Sequence, residues 1–293
     1  MLTLDAAYVR AALPRRDTQG HKGDFGKVYV LGGSVGYTGA PVFCSRAAVR
    51  TGCGLVFLGV PAGIWQVAAV KSDEAMPHPL PSLDGRLSLA AEADIRRRAA
   101  GCDAVAMGCG MGRGTESDAL VRRLLTLEQP LVLDADGINA LERHIDELSL
   151  RRSLVTVLTP HEGEFFRAGG DVSRGRESGA AAYAARRGVY LVLKGHRTVI
   201  AAPDGRLAVN TTGKAGGGDD QRRHPHRHDR QPAGAGHGAV RRLLLRRVAP
   251  RPRRGSGCGG EGTAGHDPHR PVRETALCAE RGGVAESLPE KEG

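Results

Sequence analysis

The sequence predicts an α/β fold in which a central, mostly parallel β-sheet carries helices on both faces. Short apolar runs that end at glycine, such as Val28–Gly33, are typical of buried parallel strands. These runs alternate with stretches of helical character, which indicates right-handed strand–helix–strand crossovers. The chain has 293 residues, of which 40% are hydrophobic and 25% charged, so it can bury the core of one large or two smaller domains.

The alternation can be followed element by element along the chain. Apolar and β-branched runs predict strands over Val28–Gly33, Leu55–Val60, Ala104–Met107, Leu131–Leu133, Val155–Leu158, Val189–Leu193 and Thr198–Ala201. The stretches between them predict helices over Pro41–Thr51, Leu89–Ala99, Glu116–Leu127, Ile138–Glu147, Glu164–Ala168 and Gly179–Arg187. Because active sites of such sheets lie beyond the carboxyl ends of the strands, the loops that follow the strands are the candidate functional segments.

The chain after about Gly216 differs in composition from the part before it. From Gln221 to Gly293 there are 15 Lys and Arg residues against 8 Asp and Glu, so this stretch carries +7 of the formal charge of +10. It contains no Phe, Trp, Tyr or Ile, and it shows no helical or strand periodicity. We therefore predict a folded domain over residues 1–216 and a tail over 217–293 that is disordered or misassembled as written.

Several classes of protein are disfavoured by the sequence. The apolar runs are far shorter than the roughly 18–20 residues that cross a bilayer, so we expect a cytoplasmic protein with no membrane partner. The tail has no aromatic side chains for base stacking, so its positive charge does not predict a nucleic-acid partner. The cysteines fit neither a disulfide framework nor a CxxC metal pair, and they are Cys44, Cys53, Cys102, Cys109, Cys258 and Cys278.

Two glycine-rich loops follow predicted strands. One runs from Gly32 to Ala40 and opens a helix, and the other runs from Gly108 to Gly114. Glycine lets the backbone approach a ligand closely, and N–H groups at a helix start can face an anion. The first loop has neither the Lys-Ser/Thr ending of a P-loop nor a GxGxxG pattern, so an ordinary tight turn is an equally good interpretation.

Polar side chains follow three further strands. Asp134 and Asp136 could hold Mg²⁺ through water or bind a hydroxylated ligand, unless Asp136 only caps the next helix. His161 could donate to a ligand and Glu164 could act near metal-bound phosphate, unless both are solvated residues of a first helical turn. The segment Lys194–Thr198 places two fixed cations and a hydroxyl on a strand-loop-strand turn, which suits a nucleotide phosphate or an exposed basic hairpin.

Taken in order, these segments resemble the ADP- or ATP-dependent NAD(P)H-hydrate dehydratases, a family of the ribokinase-like superfamily. The shared motifs lie between His21 and Gly213 and are HKGDFGKVYVLGGS, YTGAP, GCGMG, DADGINAL, TPHEGEF, VLKGHRTVI, PDG and NTTG. The resemblance implies a ribokinase-like fold and a carbon–oxygen lyase that repairs hydrated NAD(P)H. It implies that a nucleotide phosphorylates the added hydroxyl and that elimination of phosphate restores the dihydronicotinamide. It also implies ADP or ATP and Mg²⁺ as cofactors, and a homo-oligomer.

The resemblance assigns roles to individual residues. The residues implied to bind the hydrated dinucleotide are Ala40, Gly110, His161, Asp136 and Asn139. The residues implied to form the adenine-nucleotide site are Lys194, Gly195, His196, Arg197, Thr198 and Gly218. Glu164 matches the family's acidic motif and is the candidate for a metal-associated role, while Glu162 stands where the family usually has proline.

The family's catalytic base is the aspartate of a GG(T/S)GD loop at a helix N-terminus, which should follow NTTG. Here the chain continues with Gly216-Gly217-Gly218-Asp219-Asp220 and then Gln221-Arg222-Arg223. Asp219 matches the end of the motif and is the candidate catalytic residue. However, the loop is too short and no helical pattern follows it.

A change of reading frame accounts for this departure. Read one base out of frame, the codons for Gln221–Arg223 can encode Ser-Gly-Asp, and those for His224–Ala239 can encode an apolar segment that starts Ile-Leu-Thr-Gly-Met-Ile-Ala-Ser-Leu-Leu. We hypothesise a frame change near residues 214–218, caused by a sequencing error or a mutation. If the tail is translated as written, we expect little or no dehydratase activity.

Three other functions stay open at this stage. One is a small-molecule kinase of the same superfamily, which would stop at the phosphorylated product. Another is a catalytically dead protein that still binds the dinucleotide, and the third is a basic nucleic-acid-binding module. The motifs HKGDFGK and TPHEGEF favour the dehydratase over the kinase.

Overall fold

The computed structural model describes residues 2–12, 19–151 and 154–211, so the predicted tail over 217–293 lies outside the described residues. The strands are β1 Leu2–Leu4, β2 Lys27–Gly32, β3 Leu55–Pro61, β4 Met76–Leu80, β5 Ser82–Leu83, β6 Arg86–Leu87, β7 Ala104–Cys109, β8 Leu131–Leu133, β9 Thr156–Leu158, β10 Tyr190–Leu193, β11 Val199–Ala201 and β12 Leu207–Asn210. The α-helices are α1 Ala6–Ala12, α2 Gly39–Arg50, α3 Trp65–Val70, α4 Glu92–Ala99, α5 Thr115–Arg123, α6 Asp136–Asn139, α7 Glu162–Arg167 and α8 Arg176–Arg187.

Ten strands form one sheet in the order β1-β12-β11-β10-β9-β8-β7-β2-β3-β4. Neighbouring strands are parallel except where β11 pairs with β10 and with β12. The predicted mostly parallel sheet is therefore confirmed. β5 and β6 form a separate antiparallel hairpin, and β1 reaches the far edge of the sheet, where Leu4 is opposite Asn210.

Apolar side chains cover both faces of the sheet, as the uninterrupted apolar runs predict. On β2, Tyr29 and Leu31 join a core that includes Tyr183 of α8. Val30 points to the opposite core, where it shares a cluster with Val42 of α2. Helices thus pack on both faces. Within the part of the chain that the structure describes, no helix is both long enough and apolar enough to span a bilayer.

The strand order reverses between β2 and β7. From β2 the chain proceeds to β3 and β4 on one side, and it then returns to β7 on the other side of β2. The connections leave β2 and β7 in opposite directions, which opens a crevice at the carboxyl ends of these two strands. The topology thereby predicts where a ligand binds before any side chain is considered.

The structure differs from the sequence-based prediction in two instructive places. The helix predicted over Ile138–Glu147 is wrong in extent, because α6 ends at Asn139 and a separate 3₁₀ helix covers Ile145–Arg151. Between them Arg143 has a φ of 64°, which a right-handed helix does not allow. Strand β4 was not predicted because its sequence contains Pro77 and Pro79, which are tolerated here since β4 lies at the edge of the sheet.

Candidate functional site

Those predicted site residues that the structure describes lie in loops or first helical turns that follow β2, β7, β8, β9 and β10. These five strands are neighbours in the sheet, and all of them run in the same direction. At about 4.8 Å between strands, the row from β2 to β10 is about 19 Å long. The structure therefore brings residues separated by more than 150 positions in sequence together along the carboxyl ends of these strands.

Ala40 and Gly110 meet at the crevice between β2 and β7. A Cβ atom placed on Gly110 would lie 3.1 Å from the Cβ of Ala40 and 3.0 Å from that of Tyr37. The hydroxyl of Ser34 donates to the carbonyl of Gly110 over 2.9 Å. The two glycine-rich loops thus contact each other, and the lack of a side chain at Gly110 keeps the crevice open.

Asp136 fastens the second glycine-rich loop to the end of β8. One carboxylate oxygen accepts the backbone N–H of Gly112 over 2.9 Å, and the other accepts the side-chain amide of Asn139 over 3.4 Å. Asn139 in turn accepts the Nε–H of Arg167 over 3.0 Å. The N-cap of α6 is Ala135, so capping of that helix does not explain Asp136.

The last residues of β7 touch the loop after β8 backbone to backbone. Gly108 has a φ of 120°, and a Cβ atom on it would lie 1.9 Å from the carbonyl oxygen of Asp134. Ala135, the next residue of the opposing loop, has a φ of 48°, which is rare for a residue with a side chain. Strained backbone of this kind concentrates at functional sites, where the surrounding structure holds it in place.

The side chain of Lys194 reaches from the end of β10 towards the loops after β8 and β9, where its Nζ lies between two carboxylates. Its Nζ is 2.9 Å from an oxygen of Asp134 and 3.5 Å from an oxygen of Glu164. The same oxygen of Asp134 accepts the hydroxyl of Thr159 over 2.8 Å. The side chain of Lys194 is 23% exposed, and that of Glu164 is 7% exposed, so the charges interact in a partly desolvated place.

His161 and Glu164 form a reciprocal cap at the start of α7. The N–H of His161 donates to the Glu164 carboxylate over 2.9 Å, and the N–H of Glu164 donates to Nδ1 of His161 over 3.2 Å. Nδ1 acts as an acceptor, so a neutral ring carries its proton on Nε2. Because the His161 side chain is 44% exposed, it can still face a ligand, whereas Glu164 is buried.

The segment Lys194–Thr198 links two antiparallel strands, as predicted, but its members face different surroundings. His196 and Arg197 are exposed. Thr198 is buried and donates its hydroxyl to the carbonyl of Gly195 over 3.1 Å, which stabilises the loop from within. Gly218 and Asp219, the other two predicted members of the site, lie outside the described residues.

Sequence reasoning missed Arg86, which lies over the second glycine-rich loop. A Cβ atom on Gly112 would be 3.0 Å from Nε of Arg86 and 3.2 Å from Oγ of Ser34. The hairpin that carries Arg86 is attached to the first loop, since Gly85 accepts the N–H of Val35 over 2.9 Å. A single arginine after a turn carries no signal in sequence, so only the fold reveals this cation beside the crevice.

The fold is that of a ribokinase-like α/β protein, and the row of strand-end loops marks where a ligand site is expected in such a sheet. A sequence profile described as NAD(P)H-hydrate dehydratase matches residues 28–219. This match covers well over half of the chain. The chain belongs to the NAD(P)H-hydrate dehydratase family.

Individual proteins agree with this assignment. The chain is 42% identical over 219 residues to the bifunctional NAD(P)H-hydrate repair enzyme of Moorella thermoacetica, a match that covers 73% of this chain and 41% of that protein. The chain therefore spans about two fifths of the length of that relative.

Solved structures show the same fold. The ADP/ATP-dependent NAD(P)H-hydrate dehydratase from Bacillus subtilis, co-crystallised with ATP and Mg²⁺, is 29% identical with a TM-score of 0.57 and a match over 73% of each chain. A ribokinase-like superfamily protein from Enterococcus faecalis is 20% identical with a TM-score of 0.63, covering 83% of this chain and 78% of that one. The second similarity concerns the fold alone.

Proposed function

We propose that the strand-end site binds a hydrated nicotinamide dinucleotide next to an adenine nucleotide and dehydrates it with the nucleotide as phosphoryl donor. The terminal phosphoryl group moves from ADP or ATP to the hydroxyl that hydration added. The carbon–oxygen bond then breaks with phosphate as the leaving group, and the ring loses a proton as its double bond reforms. Phosphoryl transfer depends mainly on positioning and on neutralisation of charge.

The observation that carries this proposal is the order of the loops along the carboxyl ends of the parallel strands. Ala40 and Gly110 lie at β2 and β7, and Lys194–Thr198 follows β10, three strands from β7. At the usual strand spacing this separation is about 14 Å, enough for two ligands whose reacting groups meet between them. The Nζ of Lys194 extends from the end of β10 into that region, where it contacts Asp134 after β8, and would supply positive charge for a transferring phosphoryl group.

The remaining residues complete the two subsites. Asp136 and Asn139 hold the glycine-rich loop against which the dinucleotide would lie, and His161 offers a partly exposed imidazole. Arg86 provides a cation suited to the anionic pyrophosphate of a dinucleotide. On the nucleotide side, the exposed His196 and Arg197 belong to the loop that we assign to ADP or ATP.

We propose that Mg²⁺ enters this site with the nucleotide phosphates. Mg²⁺ keeps several waters and usually binds one or two carboxylates together with substrate phosphates. Among the residues that the structure describes, no group of three or more His, Cys, Asp or Glu side chains forms a preformed metal site. The carboxylate of Glu164 already caps α7, so its metal-associated role would be exerted through bound water.

The domain boundary near residue 216 and the frame change are part of the same proposal. The match to the family profile ends at residue 219, and the composition changes at the same place. A catalytic aspartate and the helix that should follow it would then be encoded one base out of frame. The expected homo-oligomer and the cytoplasmic location stay predictions.

The test compares two chains. One is the 293-residue protein with its tail as written, and the other is a version whose reading frame is restored after Gly213. Both are assayed for recovery of the near-ultraviolet absorbance of NADH from hydrated NADH, and for binding of ADP and ATP. We expect both chains to bind ligands and only the restored chain to turn over rapidly. Intact-mass spectrometry of the native protein, with the gene resequenced across the codons for residues 210–230, shows which chain exists.

Each result has a distinct meaning. Rapid turnover by the 293-residue chain would contradict the expectation that the tail as written leaves little or no dehydratase activity. If neither chain bound hydrated NADH or an adenine nucleotide, the proposed function would be wrong. If the restored chain accumulated a phosphorylated product without forming NADH, the activity would be that of a kinase. Binding without turnover by the 293-residue chain would make that chain a catalytically dead dinucleotide-binding protein.

A further inference from the structure

Arg176, at the start of α8, makes an unusual set of contacts with the loop that follows β10. Its two terminal nitrogens donate to three backbone carbonyls, those of Leu193 over 3.2 Å, Lys194 over 2.8 Å and His196 over 2.7 Å. A planar guanidinium has five donors in a fixed arrangement and can bind several carbonyls at once. Sequence analysis did not single out Arg176, because it lies 18 residues from Lys194.

The guanidinium also forms an ion pair with the start of the helix that follows β9. Its Nε lies 2.8 Å from a carboxylate oxygen of Glu162, the first residue of α7. Glu162 directly follows His161, which we assign to the dinucleotide. One arginine therefore connects the two neighbouring loops that the proposed function gives to the two ligands.

The contacts fix which way the peptide groups of the loop face. In a trans peptide the carbonyl and the N–H point to opposite sides, and no cis peptide occurs in the described residues. The carbonyls of Lys194 and His196 face Arg176, so the N–H groups of Gly195 and Arg197 point away from it. Neither N–H donates to another group within the described ranges of the chain. Two outward N–H groups beside a loop with positive φ angles are typical of an anion-binding backbone.

Gly195 shows how closely the arginine packs. A Cβ atom on Gly195 would lie 2.6 Å from a terminal nitrogen of Arg176, and the residue has a φ of 146°. The loop thus adopts its conformation around the guanidinium. Without Arg176, three carbonyls would lose their donor, and the loop would be free to turn its peptide groups.

We propose that Arg176 is a positioning residue that holds the loop Lys194–Thr198 in the conformation that binds the phosphate of an adenine nucleotide, with Glu162 orienting it. This inference rests on the proposed function. Arg176 acts through the backbone of the loop and need not touch the nucleotide.

The test uses the full chain and the variants Arg176→Gln, Arg176→Lys and Glu162→Gln, with Arg174→Gln as the matched control because Arg174 is an exposed arginine two residues away. Hydrogen exchange of the loop amides is measured without ligand, and the Kd values for ADP, ATP and hydrated NADH are measured separately. For Arg176→Gln we expect about tenfold faster exchange of the Lys194 amide, which donates to the carbonyl of Pro160 over 2.7 Å, and about tenfold weaker nucleotide binding. Affinity for hydrated NADH should change less than about twofold.

The other variants separate positioning from general stability. Arg176→Lys should recover little, because an ammonium group cannot reproduce the fork of contacts. Glu162→Gln should weaken nucleotide binding about threefold, and Arg174→Gln should bind like the wild type. Equal loss of both ligands would indicate a merely structural role and would overturn the inference. Unchanged nucleotide affinity in Arg176→Gln would also overturn the inference. A wild-type chain that binds no nucleotide would overturn the proposed function and this inference together.

Discussion

Gly108 shows how one residue without a side chain sets the geometry of the site. Its φ of 120° and the 1.9 Å between a built Cβ and the Asp134 carbonyl oxygen leave no room for any other residue. The close approach lets the loops after β7 and β8 meet, and it brings Gly112 within reach of Asp136. In the sequence, Gly108 is one of several glycines between residues 108 and 114, so nothing marks it as the residue that makes this contact.

We predict that Gly108→Ala lowers the free energy of unfolding by about 2–4 kcal/mol, because the backbone must shift and adopt a strained φ. Thermal and urea unfolding measure this change. The control is Gly63→Ala, since a Cβ atom at Gly63 would meet nothing within 4 Å. Equal stability of the two variants would contradict the close contact.

At the scale of elements, a buried arginine joins the amino-terminal ends of β8 and β9. Arg151 donates to the carbonyls of Leu125, Leu127 and Gln129 in the turns before β8, and to the hydroxyl of Thr156 at the start of β9. Burial lowers the pKa of Arg151 to about 10, so the group keeps its charge at neutral pH. This cluster lies at the amino-terminal ends of the strands, whereas the candidate site lies at their carboxyl ends.

Replacement of Arg151 by methionine should lower the free energy of unfolding by about 3 kcal/mol, because several buried carbonyls lose their donor. Nucleotide affinity should stay unchanged, since the cluster is remote from the ligand loops. Unfolding curves and nucleotide titrations of the same preparation check both statements. Arg123→Gln serves as the control, because that arginine is exposed and its side chain forms a surface ion pair with Glu92. A stable Arg151→Met protein would show that the cluster contributes little.

At the scale of the whole molecule, a contact between β2 and β4 crosses the strand that separates them. The hydroxyl of Tyr29 lies 3.0 Å from Nε2 of His78, and a Cβ atom on the intervening Gly59 would be 2.7 Å from that hydroxyl. Glycine in β3 therefore makes room for the contact. Burial, and next the charge of Arg98, lower the pKa of His78 below its usual value of 6.5.

This shift predicts that the protein loses stability in mild acid. Above the usual histidine pKa, His78 is neutral in both states, so its contribution is complete. As the pH falls below that value, the unfolded chain takes up a proton before the folded protein does, and the free energy of unfolding decreases. The fall in Tm between about pH 7.5 and about pH 5.5 should be smaller in His78→Gln than in the wild type or in His21→Gln, an exposed control. An equal fall in all three proteins would show that His78 does not cause it.

Some parts of the fold could be predicted from the sequence and others could not, and the reasons are physical. Long apolar runs such as those of β2 and β3 were found because burial on both faces leaves a continuous signal. β4 was missed because its prolines mask an edge strand, and α6 was overextended because one left-handed residue, Arg143, has no sequence signature. The parallel sheet could be predicted from alternation alone, but its edge strand β1 could not, since three residues carry little pattern.

The site was predicted in part for a related reason. Motifs after strands identified Ala40, Gly110 and Asp136, because the carboxyl ends of parallel strands meet at one edge. The contacts between loops were not predicted: Lys194 and Asp134 are 60 positions apart, and Arg86 and Arg176 belong to no motif. Contacts of this kind depend on how loops are placed by the finished sheet, which a linear pattern does not contain.

The pairing of β1 with β12 has a consequence for synthesis of the protein. Leu2–Leu4 is synthesised some 200 residues before its partner Leu207–Asn210, so β1 must wait for its place in the sheet. Contacts between distant parts of a chain close slowly, and this one completes the sheet. The ten strands of the sheet that the structure describes are all encoded before the proposed frame change near residue 214. A ribosome that continues in either frame has therefore already made these ten strands.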